Sequence, residues 1–234
     1  MSNESLTIRV TNFIFDYIRR NELSSGEPLP SELKTSTELN VSRGVVREAF
    51  RSLEVAGILE KENGRSPRVG VLNSSFLRHL LVHALATKQV SLRQVLELRE
   101  SIEVKAAEMA ARRRKPADVQ KLWQSVEGMK RSVNRLNTFV QHDVRFHQII
   151  GRATGNPLIE IICGAMYESI QESIRIGLAK RRSMDEIIHV VDYHAAVAEA
   201  IDKANPAQAE MKMKRHFEET LRALAMVEAG EFSE

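Results

Sequence analysis

Apolar residues recur at helical spacing over residues 6–20, with Val10, Phe13, Ile14 and Ile18 on one side, which predicts a first amphipathic helix. Residues 21–30 hold Ser-Ser-Gly and two prolines, the composition of a loop. Ser31 is placed to cap a second helix reaching about Leu39, with Glu32 in its first turn. Ser42 is placed to cap a third. There Val46, Ala49, Phe50 and Leu53 share one face, while Arg43, Arg47 and Arg51, each four residues apart, share another. Gly57 supplies a stop. The pattern then changes: residues 58–61 and 68–72 read as two strands around a turn containing Asn63-Gly64. Helix, short turn, arginine-bearing helix and hairpin is the order of a helix-turn-helix followed by a wing. The arginine row suits either phosphates and base edges or plain solvation. Arg65 and Arg68, at the tip and shoulder of the hairpin, extend the first option.

Beyond a polar link at residues 73–76 every periodic segment is helical. Helices are expected at 76–87, 91–114, 117–134, 136–153, 157–181, 184–203 and 206–229, broken by Pro116, by Thr154-Gly155-Asn156-Pro157 and by Asn205-Pro206. The fold class that follows is mainly α. A winged helix-turn-helix with a small β-hairpin occupies residues 1–73, and an all-α bundle of about seven helices occupies residues 74–234.

Composition narrows this little. With 43% hydrophobic and 28% charged residues the chain has globular character. No apolar run approaches the roughly 20 residues of a membrane span, and no N-terminal signal pattern is seen, so no membrane role is expected. A single cysteine, Cys163, fits a reducing cytoplasm and leaves any metal site to histidines and carboxylates. The net charge is +3, and residues 1–75 hold ten Lys/Arg against ten Asp/Glu. Any attraction for DNA must therefore be focused on one face; residues 40–70, with six basic and four acidic side chains, are where it concentrates.

The informative residues of the helical part are polar ones set in apolar stripes. Asp143 and His147 lie one turn apart within the stripe Leu136, Phe139, Val140, Phe146 and Ile150, a spacing that lets both reach one metal ion. An unpaired carboxylate there is costly and demands a partner. His194 sits among Ile187, Val190, Val191, Val197, Ala198 and Ile201. Alone it reads as a satisfied core histidine; two helices aiming imidazoles inward favour a ligand. His216 occupies a less apolar face, and His79, His83, His142 and His189 read as surface or structural. Arg99 is flanked by Leu92, Val95, Leu96, Ile102 and Ala106, with Glu103 one turn on. It forms either a buried pair with Glu103 or a clamp for a ligand carboxylate.

Two resemblances join these observations. Residues 6–72 resemble the winged helix of the GntR family of bacterial transcription regulators. The matching residues are Leu29-Pro-Ser-Glu32, Val41-Ser-Arg-Gly-Val-Val-Arg-Glu-Ala49, Leu53, Gly57-Ile-Leu and Asn63-Gly-Arg65. The resemblance implies DNA contacts at Arg43, Gly44, Arg47 and Gly64. Leu33 stands where the family often has a basic contact residue, leaving Lys34 for that role, and Thr35 replaces a usual core leucine. Residues 76–229 resemble the FCD-type effector domain of the FadR subfamily through Leu98-Arg-Glu-Ser-Ile-Glu103, Asp143-Val-Arg-Phe-His147, Asn156-Pro157, His194 and Met213-Lys-Arg-His216. This resemblance implies a divalent metal (Zn, Ni or Mn) on Asp143, His147, His194 and His216. Asn205 replaces an Asp usual before its proline.

The function expected is a cytoplasmic, homodimeric regulator, a repressor, bound to double-stranded operator DNA. A small organic or sugar acid at the metal site would control it, with Arg99 gripping the effector. The competing expectations are a regulator for which the ion itself is the signal, or a metal-dependent helical-bundle enzyme; a purely structural metal is a further option.

Overall fold

A computed structural model describes residues 5–61, 65–179 and 184–229. The chain divides into two compact units, Met1–Phe76 and Leu77–Glu234.

In the first unit, α1 (Leu6–Arg20), α2 (Glu32–Leu39) and α3 (Arg43–Val55) precede β1 (Leu59–Glu60) and β2 (Arg68–Val69). Both expected serine caps form: Ser31 accepts from the Lys34 N–H and Ser42 from the Val45 N–H. Asn40 ends α2 in the left-handed conformation (φ 49°, ψ 51°), which turns the chain sharply toward α3. Gly57, at φ 72°, closes α3: its N–H reaches the Glu54 carbonyl and that of Ile58 reaches Leu53. Both wrap back onto the final turn, a stop that favours glycine. Val10, Ile14, Leu29, Val46, Ala49, Phe50, Leu53 and Leu59 form the core. Thr35, in the place of a leucine, is fully buried, and its Oγ1 has no hydrogen-bond partner.

The strands are shorter than their apolar runs. They pair antiparallel with Leu59 opposite Val69 and Glu60 opposite Arg68. The expected loop at 21–30 does more than turn. Val69 N–H donates to the Glu27 carbonyl, Gly26 N–H to Val69 and Leu29 N–H to Pro67, so this segment lies along the other edge of β2. A Cβ at Gly70 would stand 2.2 Å from the Gly57 carbonyl oxygen, so β2 leaves the sheet directly against the end of α3.

The second unit has seven helices among its described residues: α4 (Ser75–Ala86), which begins at the unit boundary, α5 (Leu92–Arg113), α6 (Pro116–Lys130), α7 (Leu136–Ala153), α8 (Pro157–Ala179), α9 (Met184–Asp202) and α10 (Pro206–Glu228). Ser91 and Gln94 make a reciprocal capping box on α5, and Asn205 caps α10 by accepting from the Gln208 N–H. α6 stops a turn earlier than its periodicity predicts. The Ser132 N–H bonds to the Met129 carbonyl and that of Arg135 to Ser132, tight turns that lead into α7. α5 packs on α10 and α7, α7 on α6 and α8, and α9 on α10 and α6. One apolar core runs through all of them, from Ala106 and Ala110 through Phe139, Phe146 and Ile150 to Val197, Ile201, Met213 and Phe217.

Candidate metal centre and nucleic-acid interface

Packing α7 against its neighbours buries the face carrying Asp143 and His147; α9 brings in His194 and α10 His216. All four side chains are buried. Ligand atoms of His147, His194 and His216 lie within 4.8 Å of one another. His194 Nε2 is 3.3 Å from His147 Nε2 and 2.9 Å from Asp143 Oδ1. The His216 ring centre is 4.5 Å from that of His194 and 5.2 Å from that of His147. Four residues from three helices are thus brought together, with Asp143 attached through His194.

The outer nitrogens fix the chemistry of this cluster. His147 Nδ1 lies 2.7 Å from Glu103 Oε2, and His194 Nδ1 lies 2.7 Å from the Val190 carbonyl. Both partners are acceptors, so each ring presents N–H outward and turns an Nε2 lone pair inward. Two lone pairs and a carboxylate oxygen facing one another repel unless a cation stands among them. Ligands bonded at about 2.1 Å to one ion are separated by roughly 3–3.5 Å, which matches the two contacts between donors. The residues therefore fit a divalent metal. A carboxylate behind a ligating imidazole also orients such a ring and raises its basicity, the place Glu103 occupies.

Burial holds His147 below the ordinary imidazole range against the opposing pull of Glu103, so the ring stays neutral at neutral pH. Burial works against the charge of Asp143. His194, whose Nε2 lies 2.9 Å away, together with His147 and Arg99, nevertheless keeps it below the usual carboxylate range. Cys163 is buried, and burial pushes its thiol up, which removes it as a ready thiolate.

Glu103 is a hub. It accepts from Arg99 Nε at 2.9 Å and from Tyr167 Oη at 2.5 Å, besides facing His147. Arg99 stacks its guanidinium 3.7 Å from the centre of the Tyr167 ring. Both options raised for Arg99 are compatible with this geometry: Nε is spent on Glu103, and the side chain also lines a cavity of about 260 Å³ beside Asp143, His147 and His216. Sequence reasoning missed the link from Glu103 to His147, because it joins helices 44 residues apart. It missed Tyr167 altogether. Glu103 carried a signal, as a carboxylate on the apolar face of α5; Tyr167 carried none. His79, His83 and His189 are exposed and stand apart from the cluster, and His142 packs against Gly128.

In the winged unit Arg43, Gly44, Arg47 and Arg51 are exposed along α3, opposite its buried face. Lys34 is exposed on α2 and Arg65 beside the hairpin, while Gly64 lies outside the described residues. Glu32 stands between two basic groups: Arg47 Nε is 3.7 Å from one carboxylate oxygen and Lys61 Nζ 2.5 Å from the other. It thereby ties Lys61, just after β1, to α2 and leaves Arg47 of α3 only loosely held. Arg68 donates to the Gly26 carbonyl at 2.7 Å and serves the scaffold.

A family model described as the FCD domain matches residues 94–219, and one described as bacterial regulatory proteins, gntR family, matches residues 8–69. The chain belongs to the GntR family and carries an FCD domain. This regulator is similar to the HTH-type transcriptional regulator LutR of Bacillus subtilis, at 26% identity over 85% of this chain and 92% of the relative. It is also similar to the HTH-type transcriptional repressor NanR of Cronobacter sakazakii, at 25% identity over 92% of this chain and 84% of the relative. Among solved structures, Streptococcus agalactiae GntR shares its fold, with a TM-score of 0.63 at 23% identity over 93% of this chain and 99% of that one. The families and these relatives are transcriptional regulators and not enzymes, which removes the bundle-enzyme reading. This GntR-family protein is a DNA-binding transcriptional regulator. No helix among its described residues is long and apolar enough to cross a membrane.

Proposed function

We propose that this regulator is a cytoplasmic homodimeric repressor of the FadR subfamily, released from or fixed on its operator by a small carboxylic acid bound at a divalent metal. Asp143, His147, His194 and His216 hold the ion. Zn, Ni and Mn all suit one oxygen and three imidazole donors. When bound, the metal supplies a Lewis-acidic point to which a carboxylate oxygen is attracted. Arg99 offers its guanidinium to the same carboxylate from the neighbouring wall. Residues 1–73 read the duplex through Arg43, Gly44 and Arg47 on α3, with Lys34 and the wing residues Gly64 and Arg65 on the backbone, and residues 74–234 sense.

The observation that carries this reading is the convergence of three buried imidazoles, two of which, His147 and His216, line the cavity that Arg99 also lines. Carboxylate binding favours one of two arrangements of the dimer through the link at residues 73–76, and so alters its fit to operator half-sites. The test uses a duplex recovered by selection from a random pool, with affinity followed by fluorescence anisotropy. A carboxylate should change the affinity of the Zn-loaded protein and leave the chelated protein unaffected. A change on chelation alone, with no effect of any acid, makes the ion the signal and overturns the proposal.

A further inference from the structure

The cavity beside the histidines has two chemically distinct sections. Its deep end carries Arg99, Asp143, His147 and His216, all buried. From there it runs along three helices in turn-length steps: Arg99, Leu96 and Leu92 on α5, Ile170, Ile174 and Leu178 on α8, and Phe217, Thr220, Leu224 and Val227 on α10. α5 and α10 run antiparallel here, since Arg99 lies over Phe217 while Arg93 pairs with Glu228. The two turns from Arg99 to Leu92 give this section a length of about 10 Å. Its outer residues, Leu92, Ile174, Leu224 and Val227, are only half-buried, so part of the apolar wall is left uncovered by the described residues.

Among the described residues the section carries few polar groups, the Tyr193 hydroxyl, Thr220 and Glu219, and the last two are already engaged. Thr220 Oγ1 donates to the His216 carbonyl at 2.9 Å, and the Glu219 carboxylate accepts from Arg222 at 2.6 Å. A polyhydroxylated acid entering here would lose water from each hydroxyl and gain few hydrogen bonds in return, a net cost. An alkyl chain or ring would lose nothing and cover the leucines and isoleucines.

We propose that the effector is a carboxylic acid with an apolar tail, its head at the histidine–Arg99 end and its tail between α5, α8 and α10, and not a sugar acid. This rests on the metal–carboxylate reading above.

The experiment is titration calorimetry of the Zn-loaded full chain with acetate, butyrate, hexanoate and octanoate, with gluconate as the polyhydroxylated comparison. Affinity should rise about fourfold per added methylene until the section is filled. Gluconate should bind no better than acetate. Ala223 of α10 also lines the apolar section; Ala223→Leu fills it and should flatten the rise while leaving acetate unchanged, and Ile174→Gln repeats the test from a different helix, with zinc stoichiometry reporting that each variant is folded. A flat series, gluconate binding more tightly than hexanoate, or an unchanged slope in both variants would overturn the apolar tail and spare the metal–carboxylate reading. If neither gluconate nor any member of the series binds, that reading falls too.

Discussion

The arginine face of α3 and the histidine cluster treat charge in opposite ways. On α3, Arg43, Arg47 and Arg51 stand in water, and Arg47 has only a loose contact with Glu32. An exposed ion pair of this kind contributes between nothing and about 1 kcal/mol, so the arginines are free to exchange it for phosphate at little cost. Around His147, Arg99 and Glu103 are 3% and 1% exposed, and every member of the group depends on the next. A surface that binds intermittently can leave its charges hydrated. A buried polar group must be complete, by protein partners or by a bound ion.

That contrast can be broken at several points. The largest effect is expected from Glu103→Leu, which strands the buried Arg99 guanidinium. Equilibrium urea unfolding should show a loss of about 3–5 kcal/mol. A loss below about 1 kcal/mol would mean Arg99 reaches water and the group is not closed. Glu103→Gln keeps the volume and weakens only the carboxylate behind His147. Competition with a chromophoric chelator should report metal affinity lowered by about 10–100-fold; an unchanged affinity removes Glu103 from the support of the site. Arg47→Ala should cost about 1–3 kcal/mol in operator binding, measured by anisotropy, with unfolding unaltered. A matching loss of stability would instead make the Glu32 contact structural. Ser42→Ala, which removes the cap of α3, should lower the stability of the winged unit by about 1 kcal/mol in thermal unfolding.

Acidification tests the buried side of the contrast again. The folded-state values of both His147 and Asp143 are lowered, so the unfolded chain binds more protons as pH falls. Metal-free stability should therefore decline first just below the ordinary imidazole value of about 6.5, and again below the ordinary carboxylate range near 4. Denaturation midpoints at pH 7, 6 and 5 that do not move would contradict the burial of a neutral His147.

Much of this was legible in the chain because the deciding signals are local. Ser31, Ser42, Asn205 and Gly57 act within one turn of themselves, and the helix faces of α3, α7 and α9 follow from spacing alone. His216, on a weaker apolar face, was assigned through its resemblance to a family pattern. The hydrogen bonds from residues 26–29 to β2 were not legible, since a loop rich in turn residues gives no sign that it will lie along a strand. The early end of α6 is set by turn hydrogen bonds that apolar periodicity does not register. Glu103 shows the limit most clearly: periodicity placed it beside Arg99, and only tertiary packing revealed that its other oxygen faces His147.

The central claim is that the buried histidines form one metal site. Its most direct measurement is elemental analysis with Zn²⁺ titration of chelator-stripped protein. One tight equivalent per chain is expected in the unaltered protein, lost in His194→Ala and in His216→Ala and kept in His189→Ala, which alters an exposed histidine. Tight binding that survives both cluster substitutions, or none in the unaltered protein, would contradict the account.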